Sequence, residues 1–395
     1  MTAQSITTPR VRPLLATSAY YLAFIGLGLT ATISGPTLPY LAHLTGSRLD
    51  QISLIFVAGS LGYMLGSLLG GRLYDRFPGH RIIASMLLVI AAAMVFVPII
   101  PFLWLLTAVL FLLGMAQGAL DVGCNTLLMW VHGSKVGPFM NGLHFFYGVG
   151  AFLLPIIVAQ VLSTSGDIRL VYWLLAVLLP PVAIWMWRLP SPELRLATDR
   201  RAEAKASVLP AALFVLFFLV YVGSEVGFGN WIYTYTTHLN LASETTAAYL
   251  TSVFWGSFTV GRLLGVGIST RLKSKTILFI DLPGCLAALA VIILWPASQA
   301  ALWAGTIALG LFMASIFATA LALAEEKLRL TGTITGWFLV GSGAGGMLLP
   351  WLIGQLFVRR GPQITMVIIF IDVFVNLLVL AAIIGLATRR SDPAG

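Results

Sequence analysis

Apolar residues run along this chain in long blocks, separated by short polar stretches. About 20 such residues make a helix long enough to cross a hydrocarbon core of ~30 Å. Marking the runs predicts twelve spans, at 15–44, 49–71, 80–99, 102–130, 138–163, 168–188, 208–238, 245–270, 275–296, 299–324, 334–358 and 363–387. Most connections are short, so neighbours in sequence run antiparallel. One longer polar segment, 190–207, carries Glu193, Arg195, Asp199, Arg200, Arg201, Glu203 and Lys205. It divides the chain into an N-terminal half, residues 1–189, and a C-terminal half, residues 208–395. The pattern predicts an all-α membrane protein with six spans in each half. The first run, from near Leu14, is too long for a signal-peptide core and is read as a first span.

Composition supports lipid as the main solvent. Of the 395 residues, 59% are hydrophobic and 9% charged, and the mean hydropathy is +0.96. A soluble domain carries roughly 25% charged residues. The net charge of +9 in a soluble protein would suggest nucleic acid, but here the basic residues sit between apolar runs. Of the 23 Lys and Arg, only Arg48, Arg169, Arg359 and Arg360 fall in loops on the side opposite the N-terminus. Basic loops resist translocation, so both termini and the linker are expected in the cytoplasm of a cell whose inner membrane holds the chain. Cys124 and Cys285 lie inside apolar runs and suggest neither a disulfide framework nor a metal site.

The chain repeats itself. Gly148-Val-Gly-Ala-Phe-Leu-Leu-Pro155, ending at Gln160, matches Gly343-Ala-Gly-Gly-Met-Leu-Leu-Pro350, ending at Gln355, an offset of 195 (343 − 148). Gly62, Leu65, Gly66, Arg72 and Leu73 match Gly261, Leu264, Gly265, Arg271 and Leu272, an offset of 199 (261 − 62). These link span 5 to span 11 and span 2 to span 8. Spans six apart share an orientation, so the halves are expected to be parallel repeats with a site between them, as in rocker-type alternating access. The glycines also suit close helix packing in any membrane bundle, and both readings hold together.

Between spans 2 and 3, Gly71-Arg-Leu73-Tyr-Asp75-Arg76-Phe-Pro-Gly79-His-Arg81 resembles the signature loop of the major facilitator superfamily. The resemblance implies that Gly71, Asp75, Arg76 and Arg81 form a conformational latch, with Asp75 against the positive N-terminus of span 11 near Gly336. A loop oriented by these charges is the plainer alternative. Three more segments resemble the fucose-permease-like branch, and within it the sodium-dependent glucose transporter subgroup. They are Gly118-Ala-Leu-Asp121-Val-Gly-Cys-Asn125, Leu143-His144-Phe-Phe-Tyr147-Gly-Val-Gly-Ala151 and Gly223-Ser-Glu225-Val-Gly-Phe-Gly-Asn230-Trp231. That resemblance implies sugar uptake coupled to H⁺ or Na⁺, no cofactor beyond the co-transported ion, and a monomer. Fucose permease carries a carboxylate in span 1 and this chain has none, so a scheme with two N-half carboxylates does not transfer.

An ionisable residue at bilayer depth costs about 2.5 kcal/mol or more on insertion scales, which makes it a functional candidate. Asp121, Glu225, Asp281 and Asp372 qualify. Gln117, Asp121 and Asn125 are spaced by four and share a helix face. They suit a site where amides hold hydroxyls and the carboxylate takes up a proton or sodium, or else an interhelical hydrogen-bond set. Glu225, mid-span 7, falls where the first half has Gly28, so its task belongs to one half. Asp281 is expected to pair with Arg262 at similar depth. Asp372, with Asn376 one turn on, has no role that the pattern explains.

On span 5, Asn141, His144 and Tyr147 recur every three residues and suit a polar cavity wall; a lone histidine is as often a structural hydrogen-bonder. Sugars present apolar C–H faces rimmed by hydroxyls, which fits aromatic walls with amides. Trp231, Trp255 and Trp337 are wall candidates, or else anchors at the membrane interface. No His/Cys cluster, nucleophile elbow or phosphate loop supports an enzyme. A cation-coupled symporter for a monosaccharide or similar small polar solute is expected, with a proton-coupled efflux carrier as the alternative. Its partners are the solute and the bilayer, with no nucleic acid.

Overall fold

The computed structural model describes residues 12–192, 208–328 and 332–391, and all regular elements among them are helical. In hydrocarbon every backbone N–H and C=O must be satisfied within its own segment, and a helix does so. The helices are α1 (Pro13–Ala31), α2 (Ser34–Leu44), α3 (Leu49–Ile52), α4 (Leu54–Tyr74), α5 (Gly79–Phe96), α6 (Leu103–His132), α7 (Gly137–Thr164), α8 (Arg169–Arg188), α9 (Val208–His238), α10 (Glu244–Ser269), α11 (Ser274–Leu294), α12 (Gln299–Met313), α13 (Ile316–Lys327), α14 (Gly332–Arg360) and α15 (Ile364–Ser391). Among the described residues, 11 helical stretches are long and apolar enough to cross a membrane. Helix α10, though 26 residues long, is not among them, because its Thr, Ser, Gly and Arg262 dilute its hydropathy. Of the expected linker, residues 193–207 lie outside the described residues.

Three of the predicted spans are interrupted. The run at 15–44 breaks at Thr32–Ile33 between α1 and α2. Thr30 and Thr32 turn their hydroxyls back onto the carbonyls of Gly26 and Gly28, both at 2.9 Å. Pro36 and Pro39 then remove two backbone donors just beyond the break. The break sets Gly35 against α9, where an added Cβ would come within 3.0 Å of the Asn230 Cα. Span 2 is interrupted at Ser53, whose hydroxyl donates to the Asp50 carbonyl at 2.8 Å. The run at 299–324 splits at Ala314–Ser315 into α12 and α13. There the Met313 carbonyl accepts a 2.9 Å hydrogen bond from the Tyr221 hydroxyl.

Small residues decide how closely the helices approach. Along α4 and α6, a Cβ on Gly62 or Gly66 would lie 2.0 Å from the carbonyl oxygen of Phe111 or Met115. The relation is mutual, since Gly114 and Gly118 leave only 2.1 Å to the carbonyls of Gly59 and Tyr63. The same contact recurs between α1 and α7, through Gly28 and Gly150, and between α9 and α14, through Gly345 against Leu219. Water is not the solvent around these helices, so van der Waals contact between backbones carries the association. Large apolar side chains such as Phe102, Trp104, Val177 and Leu294 are exposed on the outer surface, as a lipid-facing wall requires. Both cysteines are buried and free.

Gly66→Ala is therefore expected to force α4 and α6 apart and lower stability by about 1–3 kcal/mol, the usual range for overpacking. Thermal melting of the detergent-solubilised protein checks this. Gly267→Ala, at a helical position with nothing within 4 Å, serves as the control and should hold or raise the melting temperature.

Candidate functional site

Helix α6 presents Asp121 and Asn125 at a partly exposed position in the interior. The Asn125 amide donates to Asp121 Oδ1 at 2.9 Å and to the Asp121 carbonyl at 2.9 Å. The other carboxylate oxygen accepts from the Tyr63 hydroxyl on α4. Tyr63 escaped the sequence reading. Its only sequence signal is its place beside Gly62, because the α4–α6 glycine contact brings its hydroxyl to Asp121. Gln117 shares the same helix stripe but is 8% exposed, and its amide donates to the Thr30 hydroxyl at 3.1 Å. It ties α6 to α1 and is removed from the Asp121–Asn125 group.

Helix α7 brings in Tyr147, which lies within electrostatic reach of Asp121, Glu225 and Arg262 together. This one side chain thus marks where the two halves of the sequence meet. Asn141 and His144 are exposed on the same helix, and the His144 ring packs edge-on against Phe24 with centroids 5.9 Å apart. Glu225 on α9 stands beside Tyr221 and within reach of Arg262.

The expected pairing of Arg262 with Asp281 is not found. Arg262 lies 4.5 Å over the Phe258 ring, within electrostatic reach of Glu225 and in no ion pair among the described residues. Asp281 is buried and accepts from Ser315 at the break between α12 and α13. Equal depth in the membrane is not enough for a pair: helix rotation points Arg262 inward and Asp281 toward α13.

The three tryptophans separate. Trp231 is fully buried, donates to the Pro350 carbonyl at 2.9 Å and packs on Phe357 and Phe56, so it fastens α9 to α14. Trp337 is 59% exposed near the start of α14. Trp255 packs against Gly229, Phe254 and Phe258, and its buried indole N–H has no hydrogen-bond partner. An unmet donor of that kind costs about 1–3 kcal/mol. An apolar groove of about 530 Å³ lined by Leu54, Leu61, Trp104 and Phe111 opens on the outer surface and holds none of these polar groups.

One end of the bundle is shut. Gln160 donates to the Tyr249 hydroxyl at 2.5 Å, and Gln355 to the Asp50 carbonyl at 2.7 Å. Ser252 donates to the Phe152 carbonyl at 2.7 Å. At the opposite end Leu68, Leu73, Leu264 and Ile268 are exposed. There Asp75 caps α4 and, among the described residues, has no ion pair or side-chain hydrogen bond. Gly71 and Gly336 have open space around them. Neither Arg76 nor Arg81 forms an ion pair among the described residues. The contacts of the latch that the loop resemblance implies are not formed among the described residues.

Arg262→Gln should lower the melting temperature by leaving the Glu225 carboxylate without its counter-charge. Adding Glu225→Gln should restore it, with a coupling of about 0.5–3 kcal/mol. Asp281→Asn should give no such rescue; rescue by Asp281→Asn instead would restore the discarded pair.

Residues 20–350 match the family model described as Major Facilitator Superfamily. The mouse protein named sodium-dependent glucose transporter 1A is 29% identical over 377 residues, covering 85% of this chain and 88% of that protein. Sodium-dependent glucose transporter 1 of rat is 31% identical over 392 residues, covering 85% of this chain and 77% of its own. Among solved structures, a point mutant of the nucleoside transporter NupG superposes with a TM-score of 0.77 at 14% identity, covering 94% of this chain and 99% of that one. With its all-helical bundle matched along nearly its whole length, this multi-pass membrane chain belongs to the Major Facilitator Superfamily of transporters.

Proposed function

We propose that the chain is a secondary active transporter, carrying a monosaccharide or similar small polar solute in symport with H⁺ or Na⁺ by alternating access. The observation that carries this reading is the Asp121–Tyr63–Asn125 group, which shares Tyr147 with Glu225 and Arg262 where the two halves meet. A carboxylate held by a phenol and an amide, with no cation in ion-pair contact among the described residues, is poised to take up a cation. Amides, phenols and an unmet indole N–H suit a polyhydroxy solute. The relatives named as sodium-dependent glucose transporters support the same solute class.

Alternating access needs two bodies that rock. We take residues 1–189 and 208–395 as parallel six-span halves joined by 190–207, with α10 as the twelfth span despite its lower hydropathy. Repeated packing supports this: α1 on α7 is matched by α9 on α14, and α4 on α6 by α10 on α12. Helices α7 and α14 both run into a glycine in the left-handed region, Gly166 and Gly361, again 195 apart (361 − 166). The halves touch through α7 with α10, α4 with α14 and α2 with α9.

With basic loops inside, the shut end is extracellular and the open end cytoplasmic, in an inner membrane with both termini in the cytoplasm. The protein works as a monomer. Gln160 and Gln355, equivalent positions of the two halves, then act as paired ties that close the outer gate. Asp75 waits to dock on α14 when the cytoplasmic side closes.

Uptake into proteoliposomes against a sugar panel, with pH and sodium gradients imposed separately, tests the function. Gradient-driven accumulation of at least one sugar is expected; no sugar accumulation alongside drug-driven proton flux means an efflux carrier. Asp121→Asn should abolish concentrative uptake while sparing substrate exchange. For the gate, Gln160→Ala with Gln355→Ala should add a longer distance population between spin labels at positions 162 and 246. An unchanged distribution removes the glutamines from the gate.

A further inference from the structure

Asp372 lies on α15, outside the group just described. Its Oδ2 accepts a 2.6 Å hydrogen bond from Ser224 on α9. It has no ion pair among the described residues. One helical turn on, Asn376 is 1% exposed and its Oδ1 has no hydrogen-bond partner. Spacing of four puts both side chains on one face of α15, and α15 packs chiefly on α9 and α11.

The carboxylate sits where three helices converge. A Cβ on Gly223 would lie 3.6 Å from Asp372 Oδ2, 3.4 Å from the Gly345 carbonyl oxygen and 3.2 Å from the Leu349 Cβ. That places Asp372 at the close approach of α9 and α14. Asp372 is only partly buried, with its charge met by a single hydroxyl, whereas the unmet Asn376 oxygen is costly away from water. Placed one turn apart, they call for something positive between them. A proton would satisfy a single acceptor. A metal cation can be shared by the carboxylate, the amide oxygen and the Ser224 hydroxyl oxygen. Oxygen-only donors select hard cations, and one carboxylate among neutral oxygens balances a single positive charge.

We propose that Asp372, Asn376 and Ser224 form a sodium-binding site between α15 and α9, distinct from the Asp121 group. Ser224 immediately precedes Glu225, so the two side chains stand about 100° apart around α9, one on Asp372 of α15 and the other within reach of Arg262. An ion here draws α15 and α9 together beside the α9–α14 contact. Helix α14 carries Gln355 to the shut end. Sodium binding thereby bears on the gate as well as on Glu225. This role in transport rests on the symport reading, whereas the binding of the ion does not.

The test uses the purified full chain with no solute added, melted in NaCl, KCl or choline chloride at fixed pH and ionic strength. Sodium should raise the melting temperature of the wild type and of Asp121→Asn alike, because a ligand that binds only the folded state stabilises it. Asp372→Asn should abolish the sodium-specific shift. Asn376→Ala and Ser224→Ala should each raise the half-saturating sodium concentration at least tenfold. They carry the test if Asp372→Asn does not fold, with radioactive sodium binding as a second readout.

The site is overturned if the wild type shows no sodium-specific shift, or if Asp372→Asn keeps it. It is equally overturned if the shift vanishes in Asp121→Asn alone, or if stability follows pH and ignores sodium. A chain that binds sodium here but accumulates no sugar would refute the symport reading and leave the site standing. Sugar accumulation without sodium binding here would do the reverse.

Discussion

Backbone contact at glycine is the constraint on which this bundle depends. Inside a bilayer no hydrophobic effect pushes helices together, so they associate through dispersion and a few hydrogen bonds. Dispersion falls steeply with distance, and only glycine lets carbonyl and Cα surfaces touch. Gly62, Gly66, Gly114 and Gly118 bring α4 onto α6 in this way, and Gly345 brings α14 onto α9. The polar chemistry depends on the same contacts. Tyr63 reaches Asp121 because α4 and α6 almost merge, and Asp372 meets Ser224 beside the glycine contact of α9 and α14.

Charge is used sparingly within this frame. Both ion pairs found among the described residues, Arg48–Asp50 and Arg169–Asp167, join residues two apart near helix starts. Each of the four carboxylates in the interior has a neutral hydroxyl beside it: Tyr63 for Asp121, Tyr221 for Glu225, Ser315 for Asp281 and Ser224 for Asp372. Glu225 alone also has an arginine within reach. A hydroxyl stabilises a carboxylate without cancelling its charge, which leaves room for a cation to come and go. The symport proposed above needs that reversibility, whereas a purely structural pair would not.

The two ends of the bundle differ because their contacts differ in kind. The shut end is joined by directed hydrogen bonds from Gln160 and Gln355 and by tight packing, with Gly354 against Ser53 and Gly35 against Asn230. The opposite end presents exposed leucines and an Asp75 with no ion pair among the described residues. Few and local bonds suit the gate proposed above, since each bond lost on opening is replaceable by water.

Sequence alone determined the class of the molecule, because span length and loop charge are one-dimensional quantities. Twenty apolar residues cross a bilayer wherever they stand, and the repeats of 148–160 in 343–355 can be read without coordinates. The structure adds what the apolar pattern does not show: the breaks at Thr32–Ile33 and Ala314–Ser315 and the left-handed Gly166 and Gly361. Tertiary structure decided which side chains share a space. Gln117, Asp121 and Asn125 lie on one stripe, yet a few tens of degrees of helix rotation gave Gln117 to Thr30 and Asp121 to Tyr63. Trp231 and Trp255 were both wall candidates in the sequence, with Trp255 preferred for lying well inside its helix, and packing made Trp231 a fastener and left Trp255 with an unmet N–H. Arg262 and Asp281 were matched in depth, but depth follows from position along a helix, whereas partnership follows from rotation about its axis. That rotation is set by every neighbouring helix at once, and so it lies beyond a single apolar run.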